Sequence, residues 1–196
     1  MPLRMPRRAG VLLKTGQTTV YGGYADDGSL QKGLAKHYEI LTTGQHSGTT
    51  NITLNAKTDA HSNNCVIDNN TGLMWSRYVS GSVGVSSDGK IPWTTNGSGE
   101  GIFAYATAAN AASLAGFTDW RVANLTELLS LVNWEEVSGS PDATAFPSWP
   151  TTGIVWSSST YKPNITEANA FSFASSWHAD ISKTATQYCL LVRGDV

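Results

Sequence analysis

Side chains suited to binding chemistry gather late in the chain, between Ser157 and Lys183: Tyr161, Lys162, Asn164, Glu167, Asn169, Trp177, His178 and Asp180. They lack the regular spacing of a buried face. Tyrosine and tryptophan offer contact area at low entropic cost, and asparagine offers adaptable hydrogen bonds. Such a set can meet a sugar, with the indole stacked on the C–H face of the ring and the amides reaching its hydroxyls. Tyr161, Asn164, Asn169, Trp177 and His178 are therefore the candidate ligand contacts, on a stretch that reads as an extended polar loop. The competing reading is an ordinary polar surface loop.

Other chemistries fit less well. Ser157, Ser158 or Ser159 could join His178 and Asp180 in a nucleophile set, but no G-x-S-x-G turn presents a serine, and serine is abundant throughout. Phosphate-binding and dinucleotide-binding glycine motifs are absent, and Gly81-x-x-Gly84 reads as a loop. The expectation is a protein that is not an enzyme and needs no cofactor. Asp119-Trp120-Arg121 could set an ion pair beside an aromatic platform. Packing explains it better, with Trp120 in the core and its charged neighbours fixing a turn. Trp75 and Trp156 are read the same way. Cys65 and Cys189 are too far apart for a chelating pair, so no metal site is expected. Two readings remain for them: two buried thiols, or a bridge closing a long loop and contributing about 4–5 kcal/mol in the chain-entropy model.

Positioning these residues is the work of one domain. At 196 residues the chain can bury one sizeable core, with an ordered arm besides. Only 14% of residues are charged, and seven are tryptophan, a bias opposite to that of disordered chains. The net charge of −2 gives no pull toward nucleic acid, and the basic start (Arg4, Arg7, Arg8, Lys14) has no aromatic residues interleaved. No run approaches the length of a membrane span, and only Val11-Leu12-Leu13 follows Arg7 and Arg8, too little for a signal peptide. The expected location is the cell exterior or a virion surface, reached by assembly into a particle or through a leader outside this sequence.

Residues 1–60 read as an extended, β-prone arm, with short strands at Thr18–Tyr21 and Tyr38–Leu41 and a role in assembly contacts. Residues 61–196 read as the domain. Cys65-Val66-Ile67 and Leu73-Met74-Trp75 flank the turn Asp68-Asn69-Asn70-Thr71-Gly72 and predict a hairpin. Ala104, Ala108, Ala111 and Leu114 predict an amphipathic helix capped at Gly116. Asn124 with Glu127 forms a capping box ahead of Leu125, Leu128, Leu129 and Val132. Strands follow at 154–156, 170–173 and 188–192. The order strands, two helices, strands gives α+β, with the two helices packed on a largely antiparallel twisted sheet.

Several phrases carry a family resemblance: Asp68-Asn69-Asn70-Thr71-Gly72-Leu73-Met74-Trp75, Gly116-Phe117-Thr118-Asp119-Trp120-Arg121, Glu127-Leu128, Trp156-Ser157-Ser158-Ser159-Thr160-Tyr161 and Val192-Arg193-Gly194. Lys14-Thr15-Gly16-Gln17 and Asp26–Gly33 are similar to a frequent lead-in. Together they resemble the Lcl C-terminal domain family, named from a collagen-like bacterial adhesin and found in bacterial and phage surface proteins. Where that family has W-R-L-P, this chain has Trp120-Arg121-Val122-Ala123.

The resemblance implies a C-type-lectin-like fold in which the first and last strands pair, which would set Cys65 and Cys189 on neighbouring strands within reach of a bridge. It also implies that loops between the late strands carry the ligand. A lectin calcium site is not implied, because Lys162 replaces the glutamate of E-P-N and Trp177-His178-Ala179-Asp180 replaces W-N-D. The function implied is recognition of a host-cell surface glycan or protein by a homo-oligomer or a larger assembly, such as a phage tail. The runner-up is a structural decoration or filament subunit.

Overall fold

Asp68 organises the first turn. Its carboxylate accepts hydrogen bonds from Asn70 N and Thr71 Oγ1, both at 2.9 Å, and Gly72 takes a φ of 72° that few other residues tolerate. The flanking strands pair antiparallel, with Val66 opposite Trp75 and Ile67 opposite Met74. This is the expected hairpin. The computed structural model describes residues 12–22, 26–41, 65–77, 89–94, 97, 99–136, 140–146, 149 and 153–194. The expected loop at 79–100, with Gly81 and Gly84, lies largely outside them.

In chain order the elements are α1 (Asp27–Leu30), β1 (Tyr38–Leu41), β2 (Cys65–Asp68), β3 (Leu73–Ser76), β4 (Ile91–Pro92), α2 (Ile102–Ala111), β5 (Arg121–Val122), α3 (Leu125–Ser130), β6 (Ile154–Thr160), β7 (Glu167–Ser172), β8 (Trp177–Ser182), β9 (Thr186–Cys189) and β10 (Leu191–Arg193). The chain is α+β, with few helices and two sheets where one was expected. One sheet runs β1-β2-β3-β10-β5 and the other β4-β9-β6-β7-β8. All pairs are antiparallel except β6 with β9.

The stretch expected as one strand, 188–192, breaks at Leu190. Tyr188 and Cys189 pair with Val155 and Trp156, whereas Val192 pairs with Trp75. A single apolar run thus serves both sheets, which hydrophobicity alone could not reveal. The break also separates the cysteines: Cys65 lies on β2 and Cys189 on β9, in different sheets. Both carry thiols, with no disulfide between them. They sit in one apolar cluster with Met74, Trp120 and Trp156. Burial pushes the Cys65 thiol up to about 12 and raises that of Cys189 as well. The last strand, β10, pairs with β3 and β5 and not with the first strand of the domain.

Strand β2 is buried on both faces. Cys65 and Ile67 enter that first cluster, while Val66 enters a second one with Trp75, Leu128, Phe146, Phe171 and Phe173. Helix α2 buries Ile102, Tyr105, Ala106 and Ala109, one position round from the expected stripe. Alanine marks either face equally well, so the bulky Ile102 and Tyr105 decide. The helix stops at Ala111, ahead of Gly116, and Leu114–Gly116 form a separate 3₁₀ turn with Ser113 and Ala115 at φ 49° and 55°. Helix α3 keeps the Asn124–Glu127 capping box, but only Leu128 of its apolar residues is fully buried, and Leu129 is exposed.

The described residues of the arm fold back on the domain. Its strand β1 extends the first sheet, while Thr18–Tyr21 forms bends and no strand. Trp134 N donates to Thr15 O (2.9 Å), Glu135 accepts from Thr18 N and Thr19 N, and Lys36 Nζ donates to Val132 O. Gly16 passes so close that a Cβ there would lie 2.0 Å from Asn133 Oδ1.

Candidate functional site

The stretch that read as a polar loop is largely sheet. Strands β6, β7 and β8 occupy most of 154–182, and β7 pairs with β8 over six consecutive residues, from Glu167 opposite Ser182 to Ser172 opposite Trp177. Strand geometry then decides which side chains can act together, since successive residues face opposite sides. Ala168, Ala170, Ala179 and Ile181 pack against the apolar cluster that holds the cysteines. Asn169, Phe171, His178 and Asp180 take the other face.

That division splits the five candidate contacts. Asn169 and His178 come together: His178 Nε2 lies 2.8 Å from Asn169 Oδ1 and 3.1 Å from Asp180 Oδ1. Asn169 Nδ2 donates to Thr160 O (3.2 Å), which turns its carbonyl oxygen toward the imidazole. With two oxygens beside it, Nε2 carries a proton. Among the described residues neither Nδ1 nor Asp180 Oδ2 has a protein partner. Both side chains reach solvent, at 42% and 31% exposure.

Trp177 goes elsewhere. It is 59% exposed, opposite Ser172 on the face away from His178. The expected stacking of Trp177 with the Asn169 amide on one ligand is therefore not available. Tyr161 and Asn164 sit in the β6–β7 turn, which is a true loop. Asn164 Oδ1 accepts from Thr166 N (3.2 Å) and Thr166 Oγ1 (2.7 Å), and Asn164 N donates to Tyr161 O (3.1 Å). Asn164 thus shapes the turn through Oδ1, and among the described residues its Nδ2 has no protein partner. Among the described residues His178 Nε2 meets Asn169 and Asp180 and no serine. Ser157 is fully buried and donates to Asn169 O (2.7 Å).

The mid-chain motif is built into the frame. Trp120 is 2% exposed; its N–H donates to Asn110 Oδ1 (2.7 Å), its carbonyl accepts from Asn110 Nδ2 (2.8 Å), and its indole donates to Leu114 O (2.8 Å). Asp119 holds Arg193 through two bonds of 2.6 and 3.0 Å, with the guanidinium 3.9 Å from the Phe117 ring centroid. The hydrogen bond from Arg193 holds the Asp119 carboxyl below its usual range. Arg121 pairs with Glu127, whose carboxylate also closes the α3 capping box. Trp75 and Trp156 are fully buried, and Trp156 Nε1 donates to Ile91 O.

One feature near the late strands had no counterpart in the sequence reading. Lys183 Nζ lies 4.0 Å from the Trp93 ring centroid and donates to Thr160 Oγ1 (3.0 Å), and Phe103 meets Trp93 edge-on. Trp93 comes from β4's end, far from Lys183 in sequence, so no local pattern announces the contact.

The profile of the family described as the Lcl C-terminal domain matches residues 64–193, 130 of the 196 in the chain. No curated protein matches.

Proposed function

We propose that this chain, which belongs to the Lcl C-terminal domain family, is a non-enzymatic recognition module that binds a cell-surface glycan or protein. The observation that carries this reading is the solvent-reaching cluster of Asn169, His178 and Asp180, at the open end of the β7–β8 face that Phe171 anchors in the second core cluster. Its unused Nδ1 and Oδ2 are polar groups held by a rigid ribbon, which suits the hydroxyl or amide groups of a ligand. The β6–β7 turn, with Tyr161 and the Asn164 amide, is a second contact joined directly to the strand that carries Asn169. A C-type-lectin-like fold, an adhesin role and display at the cell exterior or on a virion such as a phage tail are parts of the same proposal. Membership of a family associated with surface proteins supports them.

A structural decoration or filament subunit is the competing role. The described residues of the arm, 12–22 and 26–41, bond their own domain through β1, Thr15 and Lys36, which favours use of that part within one chain over polymerisation. The test is binding of labelled protein to whole bacterial cells by the wild type and by Asn169→Ala with His178→Ala. Loss of two hydrogen-bonding groups is expected to weaken binding by about tenfold or more with thermal stability nearly unchanged. Undiminished binding by a folded double variant would remove this face from the site.

A further inference from the structure

The outer edge of β8 is unpaired among the described residues, and β8 ends the second sheet. Its six pairs with β7 run without a bulge, and Trp177–Ser182 contains neither proline nor lysine. Bulges, proline and lysine are among the devices that keep an edge from pairing with another chain, and the one carboxylate on this edge, Asp180, has a histidine two residues away. Lys183, which follows, is turned onto Trp93.

The main-chain direction is fixed by one bond: Lys183 N donates to Thr166 O, in register with the ribbon. By alternation Ile181, Ala179 and Trp177 also bond inward to β7, and His178, Asp180 and Ser182 turn their N–H and C=O groups outward.

We propose that this edge pairs with β8 of a second copy of the chain, antiparallel, about a twofold axis at Ala179. The sequence of the edge is self-complementary in that register. His178 falls opposite the second copy's Asp180 and Asp180 opposite its His178. Trp177 falls opposite the second copy's Ile181 and Ile181 opposite its Trp177, with alanine against alanine at the centre. Opposite charges and aromatic–β-branched pairs directly across an antiparallel ladder are each favourable, and the twofold repeats both. The outward groups of His178 and Asp180 are those such pairing needs. The register also gives Trp177, 59% exposed in the single chain, an apolar partner. A second copy is favoured over an unrelated peptide because every cross-strand pair from 177 to 181 is matched by the strand's own sequence. The inference rests on the edge itself and not on the proposed ligand, although pairing would carry two copies of the Asn169–His178 face on one continuous sheet.

The test is the mass of the full chain by sedimentation over a concentration series from about 1 to 500 µM, the range in which a modest interface populates a dimer. The wild type is expected to pass from one copy to two. His178→Asp sets carboxylates opposite each other twice and is expected to weaken dimerisation by about tenfold or more. The exchange His178→Asp with Asp180→His restores opposite pairs in the same register and is expected to restore the dimer. Trp177→Glu, at an exposed position, gives a second disruptive variant should His178→Asp fail to fold by circular dichroism. A wild type that stays a single copy throughout overturns the proposal. So does a dimer indifferent to His178→Asp and Trp177→Glu, or one that the exchange does not restore.

Discussion

Between pH 8 and 10 the docking of the arm is expected to tighten through Lys36. Its ammonium donates to Val132 O and is largely removed from water. Burial lowers its pKa to about 8, with Asp68 and Asp142 acting in the opposite direction. An unfolded lysine titrates near about 10.4. Between the two values the unfolded chain retains a proton that the folded chain has released, so stability rises with pH. The whole gap corresponds to about 3 kcal/mol, and the window from pH 8 to 10 to about 2 kcal/mol. Other buried groups pull the other way. The thiols of Cys65 and Cys189 and the phenol of Tyr38 are raised by burial, so each costs stability once pH passes its unfolded value. Urea unfolding of wild type and Lys36→Met at several pH values cancels those shared groups. The wild type is expected to gain about 2 kcal/mol on the variant between pH 8 and 10. A difference that stays flat, or falls, would refute the burial of Lys36 against Val132 and with it the docked arm.

Two further substitutions test the frame. Asn110→Ala leaves both the N–H and the carbonyl of the buried Trp120 without their partners and is expected to cost about 2–4 kcal/mol, read by urea denaturation. Ser113→Gly relieves a φ of 49° at a partly exposed position and is expected to raise stability by about 0.5–1 kcal/mol, read as an increase in melting temperature.

Local signals were legible where chemistry is local. The turn at Asp68–Gly72 and the capping box at Asn124–Glu127 are short-range hydrogen-bond patterns, and both stand in the structure as the residues imply. The alanine pattern marks helix α2 but not its buried face, because a run of alanines has no strong direction and Ile102 and Tyr105 settle the matter. Strand β8 departs most from the expected loop. Trp-His-Ala-Asp-Ile-Ser alternates apolar and polar residues strictly, which is the signature of a half-buried strand. Reading it as loop put Trp177 beside His178, when the period of two sets them on opposite faces. What sequence could not supply was long-range: the switch of sheets at Leu190, the seating of the arm on Val132–Glu135, and the meeting of Lys183 with Trp93. Each joins residues whose pairing no local pattern encodes.

The central claim, recognition of a cell surface, is tested most directly by binding of fluorescently labelled protein to whole bacterial cells before and after periodate treatment of their glycans. Saturable binding is expected, lost with periodate if the ligand is a glycan and retained if it is a surface protein, and in either case weakened by Asn169→Ala with His178→Ala. No binding across a panel of bacterial hosts, from protein shown to be folded, would contradict the account and favour the structural subunit.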